Sequence, residues 1–100
     1  MLRVGLYVRL EAKAGRENDL AGFLEQGLRM AHEEVGTPVW FAVRFGPTTF
    51  AIFDAFADEA GRQAHLEGPI AAALMANAEA LLASAPTIER YDVIGAKLPG

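Results

Sequence analysis

An α+β fold of strand, helix, strand, strand, helix, strand order is what this sequence predicts, on three observations. Alternating apolar residues near both ends of the chain read as strands. An aromatic and β-branched stretch broken by Gly46-Pro47 reads as a hairpin, and apolar residues at three- and four-residue steps in the two remaining stretches read as helices. The chain has 100 residues, the usual size of one domain, so residues 1–100 are expected to share a single core.

From Arg3 to Glu11, Val4, Leu6, Val8 and Leu10 fall on one face of a first strand, and Arg3, Tyr7, Arg9 and Glu11 on the other. Lys13-Ala14-Gly15 ends that pattern. Leu20, Phe23, Leu24, Leu28, Ala31 and Val35 then form a helical stripe, which predicts a helix over 16–34 with Gly36 as a left-handed cap. The segments 37–45 and 48–57 read as hairpin strands around Gly46-Pro47. A two-residue loop there sets Val43 opposite Phe50, Phe41 opposite Ile52 and Trp40 opposite Phe53. One face of the hairpin then carries Val39, Phe41, Val43, Phe45, Phe50 and Ile52 with Asp54. The other carries Trp40, Ala42, Arg44, Thr49, Ala51, Phe53 and Ala55, whose small side chains between large rings leave room for a ligand.

Asp58 is suited to N-cap a helix starting at Glu59, and Gly68-Pro69 divides that helix from a second segment over 70–83. Pro86 ends the helical region, and 87–98 alternates as a last strand before a Pro99-Gly100 tail. This order is the ferredoxin-like βαββαβ pattern, an antiparallel four-stranded sheet with helices on one face and the other face free.

Hydrophobic residues make up 52% of the chain, whereas a monomer of this size buries only roughly 60 to 65 per cent of its unfolded surface. The free sheet face is therefore expected to be covered by a second copy, giving a homodimer. A net charge of −4 offers no electrostatic basis for a nucleic-acid partner. The chain has no cysteine, so disulfides, thiolate metal sites and a cysteine nucleophile are excluded. The two histidines are far apart and leave no metal constellation, and no glycine-rich phosphate loop is present. Arg3 and Arg9 interrupt any signal-like run, and the alanine-rich stretch 70–83 is too short to span a bilayer, so a soluble cytoplasmic protein is expected.

Glu11-Ala12-Lys13-Ala14-Gly15 closing the first strand, Trp40 to Phe45 running into Gly46-Pro47, and Phe53-Asp54-Ala55-Phe56 leading through Asp58-Glu59-Ala60 to His65 resemble the antibiotic biosynthesis monooxygenase domain. The resemblance covers nearly the whole chain. It implies a dimeric α+β barrel, two sheets back to back, with a substrate pocket between each sheet and its helices. Members include cofactor-independent oxygenases acting on polycyclic phenols, haem-degrading enzymes, enzymes acting on small carbonyl signals and proteins of no known activity, so membership alone does not fix the chemistry. The haem-degrading branch uses Asn, Trp and His. Here the comparable first-strand position is about Val8, and Trp40 lies in a different strand, which argues against haem. Ala14 stands where the family commonly has a proline.

Six residues are candidates for the site. His65 can take a proton from a phenol or an activated carbon, the alternative being a partly buried helix histidine bonded to backbone. His32, beside Glu33 and Glu34, is not among the six and reads as an exposed cation at a helix C-terminus. Trp40 and Phe53 read either as walls for a flat ligand or as plain core. Arg44 would hold a phenolate or carboxylate, or a protein carboxylate within or across the dimer. Asp54, a charge on an apolar face, is expected to pair structurally with Arg9 or Arg90. Tyr7 offers a hydroxyl on the ligand-sized face, unless it is an ordinary exposed strand tyrosine. With no cofactor expected, an oxygenase would draw its electrons from the substrate anion itself, the protein supplying base, pocket and dry walls. The alternative is a non-catalytic dimeric domain, binding or stress-responsive, that holds an apolar metabolite.

Overall fold

A computed structural model describes residues 1–99. Gly100, the last residue of the expected tail, lies outside them. The elements run β1 (Val4–Glu11), α1 (Glu17–Ala31), β2 (Val39–Arg44), β3 (Thr49–Phe56), α2 (Glu59–Leu66), α3 (Pro69–Leu81) and β4 (Thr87–Asp92). The strands form one four-stranded sheet in the order β2-β3-β1-β4, with every neighbouring pair antiparallel. This is the ferredoxin-like α+β arrangement that the sequence predicts.

Pairing across the sheet sorts the side chains onto two faces. On the helix-covered face Leu6 and Leu10 of β1 join Phe50, Ile52 and Phe56 of β3, and Leu20 and Leu24 of α1 with Leu74 and Leu81 of α3 close the core over them. Tyr7 of β1 stands opposite Phe53 on the other face, and Phe53 in turn opposite Phe41 of β2. The three rings form one aromatic row, with centroids 4.9 Å apart for Tyr7 and Phe53 and 5.6 Å for Phe41 and Phe53. Gly5 sits on this face because Tyr91, its partner in β4, lies flat across it, and a Cβ there would overlap the tyrosine ring. The Tyr91 hydroxyl donates to the Asp54 carbonyl at 2.8 Å.

The helices begin as the local chemistry dictates. Asp58, in an extended conformation, accepts from the Gly61 backbone N–H at 2.9 Å and caps α2, while Pro69 opens α3 behind Gly68. Gly15 supplies the left-handed φ of 84° in the β1–α1 turn.

Three expectations are corrected. Helix α1 ends at Ala31, not at Glu34, and His32 is its cap. Glu33 and Glu34 bond back three residues in a tightened last turn, and among the described residues only Gly15 has positive φ, so Gly36 is no left-handed cap. The hairpin is one residue longer in its loop than a two-residue turn: Phe45 donates to the Thr49 carbonyl at 2.8 Å, leaving Gly46, Pro47 and Thr48 as the connection. Strand β4 ends at Asp92 instead of Leu98, because β1 begins at Val4, the partner of Asp92, and past Val93 no strand remains to pair with. None of the helices among the described residues is long and apolar enough to cross a membrane.

Candidate functional site

The longer hairpin loop shifts the register by one residue, so that Trp40 faces Asp54, Ala42 faces Ile52 and Arg44 faces Phe50. Trp40 and Arg44 therefore stand on the helix-covered face, and Phe53 and Tyr7 on the opposite one. The single ligand-lined face expected of Tyr7, Trp40, Arg44 and Phe53 does not exist. Two of those residues border the helix side, and two belong to the open aromatic row.

Behind Trp40 lies a buried polar cluster. Arg62 and His65, three residues apart on α2, both turn inward. Arg62 pairs with Glu59 at 2.6 Å and donates to the Gly5 carbonyl at 3.2 Å, tying α2 to the first strand. His65 is 7% exposed, and both its ring nitrogens are engaged. Nδ1 lies 2.6 Å from Glu34 Oε1, and Nε2 lies 3.1 Å from Asp54 Oδ2. The Thr37 hydroxyl, 3.4 Å from Nδ1, also donates to Glu34 Oε1 at 2.8 Å, and the Phe56 ring packs 5.4 Å from the imidazole.

Burial opposes a charge on His65, but hydrogen bonds to Asp54 and Glu34, together with their negative charges, outweigh it and hold the imidazole above its usual pKa. The imidazole expected to serve as a base lies clamped between two carboxyl groups, each ring nitrogen within hydrogen-bond distance of one of them. Asp54, 1% exposed, meets that imidazole and neither Arg9 nor Arg90. Arg9 points to the other face, opposite Ala51, while Arg90 pairs with Glu59 at 3.3 Å.

On the other side of Trp40 the molecule is open. A cleft of ≈ 330 Å³ runs between α1 and β2, walled by Leu24, Leu28, Trp40 and Phe50, with Glu25 and Arg44 as its charged members. Gly27 on α1 makes the cleft's inner wall possible, because the tip of the Trp40 indole lies where a larger side chain would press. The Arg44 guanidinium sits 4.7 Å from the Phe50 ring centre and donates to the carbonyls of Gly46 at 3.0 Å and Pro47 at 2.8 Å. Arg44 is exposed, and within the chain its partners are these backbone carbonyls and not the carboxylate expected there. Among the described residues no carboxylate forms a salt bridge with it.

Glu34 and Thr37 are the residues that sequence reasoning missed. They lie where a helix was expected to end and a strand to begin, and beside His32 and Glu33 the glutamate resembles any solvated carboxylate. The one available signal was physical: a histidine buried in a helix requires partners for both nitrogens, and an acidic residue in the loop before the hairpin is within the fold's reach. Among the described residues no group of three or more acidic or histidine side chains is arranged to hold a metal ion.

No family model matches the chain, and neither does any curated protein. Solved structures do. NE2512, a Nitrosomonas europaea protein of unknown function, is 61% identical, matching 100% of this chain and 97% of its own with a TM-score of 0.97. A second Nitrosomonas europaea protein, provisionally named an antibiotic biosynthesis monooxygenase, is 14% identical over 92% of this chain and 90% of its own, with a TM-score of 0.82. A Chloroflexus aurantiacus protein with the same provisional name is 19% identical over 98% and 99%, with a TM-score of 0.76. At those identities the likeness is one of fold, the fold that the resemblance at Glu11–Gly15 and Phe53–His65 implies. By its identity to NE2512 along its whole length, this chain belongs to the NE2512 family, built on the antibiotic biosynthesis monooxygenase-like fold.

Proposed function

We propose that this chain is an enzyme of the cofactor-independent oxygenase kind, taking a flat, largely apolar compound with one acidic hydroxyl or enolisable carbonyl into the α1–β2 cleft. The observation that carries this reading is the combination of aromatic and aliphatic walls with a single guanidinium at the rim. Trp40 and Phe50 stack on the ring system, and Arg44 stabilises the phenolate or enolate oxygen, lowering the acidity barrier to forming the anion. The substrate proton leaves to solvent through the open cleft and the anion supplies electrons to O2: an activated CH2 becomes C=O, one oxygen atom entering the substrate and the other leaving with two protons as water. His65, held between Asp54 and Glu34, anchors the wall behind Trp40. Phe53 and Tyr7 serve the open face, where with half-exposed Phe41 they would pack against a second copy in a homodimer.

The engagement of both His65 nitrogens favours a second reading, in which the cleft binds its metabolite without turning it over. One experiment separates the two. Trp40 is the only tryptophan, so its fluorescence reports occupancy of the cleft directly. Anthrones and hydroquinones that quench it and are consumed with stoichiometric O2 uptake support the oxygenase. Quenching without O2 uptake supports the binding domain, and the absence of quenching by any flat anionic probe rejects both.

A further inference from the structure

Trp40 and Asp54 are cross-strand partners on the helix-covered face. Each carries a buried polar atom that no protein group satisfies: the indole Nε1–H, a pure donor, and the carboxyl Oδ1 of Asp54, whose other oxygen is held by His65. Both residues, with His65, line a cavity of ≈ 40 Å³ whose remaining walls are aliphatic. An orphan donor and an orphan acceptor on residues that line one cavity restrict what can fill the space. A carbonyl would satisfy only the indole and an ammonium only the carboxyl, whereas a hydroxyl accepts from one and donates to the other. A water needs about 10–15 Å³ of such volume and two to four polar partners, so the cavity has room for a water and too little for a substrate-sized ligand.

We propose that one ordered water resides here, accepting from Trp40 Nε1 and donating to Asp54 Oδ1. Asp54 then has both oxygens bonded, one to His65 Nε2 and one to the water. The ring that walls the α1–β2 cleft is thereby fixed at its inner edge, and the water is the polar link between the His65 cluster and the cleft. Trp40 becomes a positioning residue as well as a wall. The inference is independent of the oxygenase reading, because it holds whatever enters the cleft.

The single tryptophan gives one indole N–H signal to test this. In ¹⁵N-edited NOESY and ROESY spectra of the wild-type protein, that signal is expected to show a cross-peak to water whose signs mark a molecule tumbling with the protein and not proton exchange. Ala71→Leu adds bulk to the cavity wall and is expected to expel the water and abolish the cross-peak. A wild-type spectrum with no such cross-peak, or with exchange alone, overturns the proposal without any variant. So does a cross-peak that persists unchanged in folded Ala71→Leu. A crystal structure at water-resolving resolution gives the same decision by a different route: a peak within hydrogen-bond distance of both atoms supports the site, and continuous side-chain packing there refutes it.

Discussion

On the inner side of Trp40, His65, Asp54 and Glu34 are closed in between the sheet and its covering elements. On the outer side, Leu24, Leu28 and Phe50 leave a cleft open to solvent with Arg44 at its rim. The inner side holds every strongly buried titratable group near the indole but only ≈ 40 Å³ of space. The outer side has ≈ 330 Å³ and, apart from Glu25, no carboxylate. Titratable chemistry and ligand-sized volume have therefore separated, with one aromatic ring as the partition. A charge cluster in so confined a site acts on stability. In the proposed function, the aromatic cleft with Arg44 at its rim serves recognition.

The largest effect that sharpens this contrast is expected from Asp54→Ala. Removing Asp54 leaves the buried His65 Nε2 without its partner, a loss of about 3–5 kcal/mol measured by urea unfolding. A loss under about 1 kcal/mol would mean the inner side is not a stabilising cluster. Glu34→Gln keeps the size and removes the charge beside Nδ1. Its expected cost is smaller, about 1–3 kcal/mol by the same measurement, because Glu34 is partly exposed and Thr37 remains in reach of the imidazole.

Next comes pH. Because His65 titrates above its unfolded value of about 6.5, folding binds a proton more tightly, and the stabilisation is fully present below that pH. It is lost as pH rises from about 6.5 through the higher folded value. Wild-type unfolding free energy should thus fall between mildly acidic and mildly alkaline pH, and His65→Gln should lack that portion of the decline. A wild-type curve that instead rises over this range would place the sign of the shift in error.

The smallest stability change is expected on the outer side. Arg44→Ala should alter unfolding free energy by no more than about 0.5 kcal/mol, since the residue is exposed and bonds only loop carbonyls. It should nevertheless weaken fluorescence-detected binding of an anionic aromatic probe and leave a neutral one nearly unaffected. Equal weakening of both probes would show that Arg44 shapes the loop and does not recognise charge.

The order of elements was legible because each carries a local physical signature: alternation in β1, the three- and four-residue stripe of α1, Asp58 as a cap and Pro69 as a helix start. The placement of the site was not, for a reason confined to one loop. Gly46-Pro47 marks a turn but does not count its residues, and Thr48 belongs to the connection and not to the strand. One residue of slip exchanges the partners of Trp40 and Phe53, which moves an expected aromatic pair onto opposite faces of the sheet. Asp54 illustrates the same limit. Its need for a donor was evident from its apolar neighbours, yet two arginines on the strand pattern concealed a histidine presented from α2. Contacts between elements distant in sequence, such as Glu34 with His65, leave no periodic trace.

The inner-side expectations converge on the titration of one ring, which nitrogen-detected NMR of ¹⁵N-labelled His65 reads directly across a pH series. The His65 midpoint is expected to lie above the ordinary histidine value of about 6.5. A His65 that titrates at or below about 6.5 would contradict the account and return the imidazole to the role of a free base.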